Sequence, residues 1–283
     1  MNEKKEYRQA YLTGERALFN KENLCIIDTI FADGESPLKE CRNIELAGSM
    51  FKWKYPLWYS KDITLENCTF FDTARAGVWY SHNLSFKNCT IAAPKTFRRA
   101  TSLLLEDVTM PHAGETLWHC KAVKMKNVTA CGDYFAMNCE DMDINNLDLV
   151  GNYGFDGAKN ITIRNSRLLT KDAFWNCENV TVYDSFISGE YLGWNSKNLT
   201  FINCTIESLQ GMCYIDNLVM KNCKLLNTTL AFEYSTVQAD IDNHIDSVLN
   251  PSGGYINAQS IGELIIQKDK IDPSKTVIKC KNR

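Results

Sequence analysis

The chain has 283 residues, 45% of them hydrophobic and 23% charged, with a net charge of −3. That composition is ordinary for a globular protein and gives no reason to expect nucleic acid or a membrane surface as partner. No apolar run reaches the about 18 residues a membrane span needs, and the opening MNEKKEYRQAYL is polar rather than leader-like, so the expectation is a cytoplasmic protein.

Residues 1–16 carry no repeat and are expected to cap an open end. From residue 17 to 225 one unit recurs every 19 to 21 residues, clearest as NLTFINCTI from Asn198 to Ile206. Its first position, the anchor, falls at Asn23, Asn43, Asp62, Asn83, Ser102, Ala122, Asp141, Asn160, Asn179, Asn198 and Asn217. One and three residues beyond the anchor every copy is apolar, as in Ile63/Leu65 and Leu199/Phe201, and mostly polar residues lie between. That is the alternation of a half-buried strand. Five beyond the anchor stands Asn or Asp, with Gly48 once. These residues tolerate a left-handed backbone, so a sharp bend is expected there. Asn127, Asn146 and Asn165 are expected to line one buried, hydrogen-bonded asparagine ladder at this turn.

After the bend a short strand resumes, with Phe31, Phe51, Phe70 and Ile91 eight beyond the anchor. A third strand is expected before the anchor, its inward residue five positions ahead, as in Leu57, Val78, Phe97 and Phe174. Three short strands per turn is the arithmetic of an all-β, single-stranded parallel β-helix, here about 11–12 coils in one domain, residues 1–283. A leucine-rich horseshoe fails because no helical stretch follows the strand. Residues 226–283 break the period and are expected to form irregular coils and a cap. Within them SVLNPSGG, Ser247 to Gly254, has loop chemistry, and strand-like pieces lie at Tyr255–Ala258 and Leu264–Gln267.

Twelve cysteines would suit a disulfide framework in an oxidising compartment, but their placement has a simpler cause. Cys68, Cys89, Cys204 and Cys223 share one repeat position; Cys41, Cys120, Cys139 and Cys177 share another. Reduced cysteine is a small, readily buried residue that suits such columns. No CxxC pair or Cys/His spacing signals a metal, and no cofactor is expected.

Several strings carry a resemblance: GERALF (Gly14–Phe19), GESPLK (Gly34–Lys39), FKWKYPLWY (Phe51–Tyr59), APKTFRR (Ala93–Arg99), GETLWHC (Gly114–Cys120) and SVLNPSGG. With the asparagine-bearing coils, they resemble an uncharacterised, mostly microbial family, a domain of unknown function, within the pectin-lyase-like superfamily of right-handed parallel β-helices. The resemblance covers nearly the whole chain and implies the right-handed fold; it brings no catalytic residues. The asparagine-aspartate and glycine-histidine-glycine motifs of polygalacturonase-like hydrolases are not evident, nor is the calcium-binding aspartate cluster of a pectate lyase.

Four positions before the anchor, alternation predicts an outward column: Phe19, Lys39, Trp58, Trp79, Arg98, Trp118, Met137, Asp156, Trp175, Trp194 and Cys213. Five of the six tryptophans lie in it. Charged residues such as Arg75, Lys95, Glu115, Asp133 and Asp172 precede the same strand. A row of indoles flanked by charge would suit an extended ligand, and the resemblance implies polysaccharide along the outer face of this strand. The expected ligand contacts are Trp58, Arg75, Trp79, Lys95, Trp118, Trp175 and Trp194, with an oligosaccharide, neutral or uronate-containing, as partner. For cleavage, Arg98, Glu115, His119, Asp133 and Asp156 are the candidate catalytic groups, as acid and base of a hydrolase or in β-elimination by a lyase. The competing expectation is a non-catalytic binding or scaffold protein whose indoles stack on one another beneath the approach loops.

Overall fold

The computed structural model describes residues 4–281. Residues 1–3 of the expected N-terminal cap, and 282–283 of the C-terminal one, lie outside the described residues. The chain divides into two compact units, Met1–Asp143 and Ile144–Arg283. Both are right-handed parallel β-solenoids, with about 15 turns between them and no α-helix among the described residues.

In the first unit the strand Lys61–Glu66 lies in parallel register between Arg42–Ala47 and His82–Lys87. Ile44, Ile63 and Leu84 therefore form one buried column and Leu46, Leu65 and Phe86 another. The short strands that follow stack as well, with the rings of Phe31 and Phe51 4.8 Å apart and nearly coplanar, and Phe70 4.5 Å beyond. The second unit repeats this in Lys159–Arg164, Glu178–Tyr183 and Lys197–Ile202, where Ile161, Val180 and Leu199 share a column. Each fully buried Phe or Leu contributes about 1.5–3 kcal/mol, and a one-residue slip would turn every such side chain outward. This fixes the register.

The turn count exceeds the expected 11–12 at both ends. Residues expected as a cap form Lys5–Arg8 and Tyr11–Leu12, which pair with Glu22–Ile27 and Ile30–Phe31. Beyond residue 225, Thr236–Ile241, Gly253–Ala258 and Thr276–Cys280 continue the parallel pairing. Only Asn250–Ser252 of the expected SVLNPSGG loop leaves the strands, because Ser247 to Leu249 pairs with Glu263–Ile265.

The bends are made by residues in the left-handed region. In one coil these are Ala76, Tyr80, Asn83 and Asn88, at φ 52°, 57°, 55° and 50°. Amides at such positions bond from coil to coil, as in Asn127 Nδ2 to Asp107 Oδ1 at 2.8 Å and Asn203 Nδ2 to Asp184 Oδ1 at 3.0 Å. The expected burial of Asn127, Asn146 and Asn165 is corrected: all three side chains are exposed. Asn165 bonds Asn145, at 2.8 Å. A left-handed residue at a corner turns its side chain out of the coil, so the amides run down the outside.

The buried polar columns are instead hydroxyls and thiols. Ser60 and Ser81 donate to the carbonyls of Leu38 and Leu57 at 2.8 and 2.6 Å, and Cys139 Sγ to Leu117 at 2.7 Å. In the second unit Ser235 and Cys177 donate to Met212 and Phe155 at 2.7 and 2.9 Å. A corner carbonyl cut off from the ladder needs such a donor. Ser and Cys therefore alternate at these positions, which accounts for the cysteine columns. All twelve are free thiols, and burial pushes Cys41 up to about 11 and Cys204 to about 12.

Candidate functional site

The position five before the anchor is buried in every regular coil, as expected. Its backbone is not uniform. Val78–Trp79 and Phe97–Arg98 pair as parallel strands in the first unit. From Leu117 onward the same position turns left-handed, with φ 62° at Leu117, 66° at Phe155, 59° at Phe174 and 79° at Gly193. The following residue is thereby presented at a different angle.

Trp58, Trp79, Trp118, Trp175 and Trp194 are half-buried rather than open. Four indole N–H groups are spent on backbone carbonyls of the next coil. Trp58 donates to Ala76 at 2.6 Å, Trp79 to Lys95 at 2.9 Å, Trp118 to Tyr134 at 2.8 Å and Trp175 to Tyr191 at 2.7 Å. In the first unit the faces are used too. Trp58 and Trp79 stack at 5.0 Å and 7°, and the Arg98 guanidinium lies 4.8 Å from Trp79 and 4.3 Å from Trp118. Arg98 thus fills a rung of the aromatic column, as a planar cation can.

Arg98 Nη2 also reaches Glu115 Oε2 at 2.8 Å, while Lys95 Nζ reaches Oε1 at 2.9 Å. Two of the expected catalytic groups, Arg98 and Glu115, are therefore brought together as an ion pair. The Arg98 Nε is buried without a hydrogen-bond partner among the described residues. His119 and Asp133 are exposed. Asp156, in the second unit, accepts a 2.9 Å bond from Asn176. Cys213, expected outward, is fully buried and donates to the Gln210 carbonyl at 3.3 Å.

Four expected ligand contacts do converge. Trp58, Arg75, Trp79 and Lys95, with Tyr55, Ala76 and Pro94, line an open cleft of about 380 Å³ in the first unit. Arg75 is exposed and makes no ion pair among the described residues. In the second unit Trp175, Tyr191 and Trp194 line a hollow of about 240 Å³. Here the indoles are splayed, 6.1 Å apart at 35°. Tyr55 and Tyr191 were not singled out from sequence, although both share the position seven before the anchor, where other coils carry Ala76, Lys95 and Asp172. Asp172, expected as a charged flank of the indole row, is 2% exposed, and burial raises its carboxyl from the ordinary value of 3.8, with the Lys171 cation and a hydrogen bond from Tyr153 opposing the rise. Among the described residues no group of three or more His, Cys, Asp or Glu side chains is placed to hold a metal.

Among solved structures, the chain is similar to a tailspike protein of the E. coli bacteriophage HK620, at 10% identity and a TM-score of 0.46, over 91% of this chain and 62% of that one. It thus spans less than two thirds of that tailspike. It is also similar to the A-module of the Azotobacter vinelandii mannuronan C-5 epimerase AlgE4, at 11% identity and 0.30 over 98% and 87%. A third is PfbA, a surface adhesin of Streptococcus pneumoniae, at 10% and 0.34 over 86% and 69%. Likeness at this level says nothing of activity. No curated protein matches the sequence. A family described as a protein of unknown function, DUF3737, matches residues 5–279, and the chain belongs to that family.

Proposed function

We propose that the protein is a binding protein for an oligosaccharide bearing a carboxylate, held in the cleft of Tyr55, Trp58, Arg75, Trp79, Pro94 and Lys95. The observation that carries this reading is Arg75, an exposed guanidinium without an ion pair among the described residues, beside half-buried aromatic surface. The cation would take the carboxylate, and indole edges and the proline ring would take the apolar face of the sugar. Lys95 is held by Glu115 but remains 46% exposed, so it can swing to the same anion.

Binding is favoured over cleavage by the state of the acids. Glu115 is neutralised by Lys95 and Arg98, whereas a hydrolase needs two carboxyls facing one bond. The competing scaffold reading draws on the four indole N–H bonds to backbone, which tie the tryptophans to the coils themselves.

Tryptophan fluorescence titrated with uronate-containing and neutral oligosaccharides separates these. Uronate binding that is lost in Arg75→Ala and kept in Arg99→Ala is the expected result. Equal response to neutral sugars would remove the carboxylate from this reading, and response to neither would leave the scaffold reading standing. Unsaturated uronate products or new reducing ends on incubation would point to catalysis instead.

A further inference from the structure

The geometry points to a second binding site, for a quaternary ammonium group, in the hollow lined by Trp175, Tyr191 and Trp194. This lies in the second unit and does not rest on the uronate cleft.

Three aromatic rings, and nothing else, line the hollow, and its surface is entirely apolar. The Trp175 N–H is already bonded to the Tyr191 carbonyl at 2.7 Å. A ligand that requires hydrogen bonds finds little here; a trialkylated ammonium requires none and is drawn by the negative faces of the rings. The rings stand at different angles, Trp175 to Trp194 at 35° and Tyr191 to Trp194 at 83° with centroids 6.4 Å apart. One face of Trp194 is already covered by Tyr214, with centroids 4.3 Å apart, so a rounded cation would meet the Tyr191 ring and the indole surface left open in the hollow.

Lys171, which lies over the Tyr191 ring, is neutralised by Glu190 at 2.8 Å. The chain itself supplies a precedent: in the first unit the same column holds the Arg98 cation between two indoles. Lys171 Nζ sits 5.6 Å over the Tyr191 ring, so an external cation competes with it there.

The test is an NMR titration of the full chain with tetramethylammonium and choline, following the six indole N–H signals, with Trp175→Phe and Trp194→Phe spectra to assign them. Shifts confined to Trp175 and Trp194 are expected at millimolar ligand. The neutral isostere 3,3-dimethylbutan-1-ol should bind about tenfold more weakly. Tyr191→Ala removes one ring but keeps the carbonyl that holds Trp175, and should weaken choline binding about tenfold; Trp53→Phe should leave it unchanged. Equal affinity for the isostere would overturn the proposal, as would shifts spread over all six indoles, no shift at all, or full binding by Tyr191→Ala.

Discussion

The same repeat position behaves differently in the two units. Around Trp79 the indoles lie flat on one another, and a guanidinium completes the column. Around Trp175 they are splayed and a hollow remains. The backbone before these positions differs too: Val78 and Phe97 are extended and paired, whereas Phe174 and Gly193 are left-handed. That angle alone does not decide the outcome, because Leu117 is also left-handed and Trp118 after it still packs on Arg98. What closes the first column is the Arg98 guanidinium seated between Trp79 and Trp118.

The largest expected effect comes from breaking the floor of the open region. Phe174 is fully buried against Phe155, with ring centroids 5.3 Å apart. Phe174→Ala should cost about 3–5 kcal/mol in denaturant unfolding. If Phe174 also sets the tilt of Trp175, the remaining folded protein should show altered indole N–H shifts at Trp175 and Trp194.

Next in size are the outer amides, which should be equivalent in the two units. Asn127→Ala and Asn203→Ala each place a Cβ residue without a local hydrogen bond at φ 55°. Each should cost about 1 kcal/mol. Very unequal losses would mean that the units differ in more than the indole column.

The Arg98 rung should respond more weakly, because its acid is partly exposed. Glu115→Gln leaves the guanidinium without its carboxylate and should lower stability by about 0.5 kcal/mol. Arg98→Met combined with Glu115→Gln should lose less than the sum of the single changes. Strict additivity in that cycle would mean the pair contributes nothing to the closed column.

The smallest effect is one of sign. The Asp172 carboxyl is raised by burial from its ordinary 3.8, so the folded chain holds this proton more tightly than the unfolded one. Stability from this group is therefore full below pH 3.8 and declines as pH rises through the raised folded value. Asp172→Asn should remove that slope and be the more stable protein at neutral pH. A chain whose stability rose with pH through this window because of Asp172 would contradict the burial.

The sequence by itself determined the coil. Alternation at positions one and three beyond the anchor admits only a strand with one buried face, and the strand columns found are those predicted, as in Ile63 over Leu84. Asn and Asp at the corners announced left-handed bends, because these residue types carry the low cost of that backbone. Alternation did not reveal that the asparagines face outward, or that Ser60, Ser81 and Cys139 satisfy the corner carbonyls; burial at a bend depends on which side the chain closes. The candidate site was legible only as a column of indoles and charges. Its division into a filled ladder, a cationic cleft and an aromatic hollow was decided by tertiary structure, for a definite reason. Leu117, Phe155 and Phe174 are bulky residues that disfavour a left-handed backbone by about 1–2 kcal/mol each. The burial of their side chains offsets that cost, so nothing local in the sequence marks the turn beneath Trp175, whereas Gly193 does mark the one beneath Trp194.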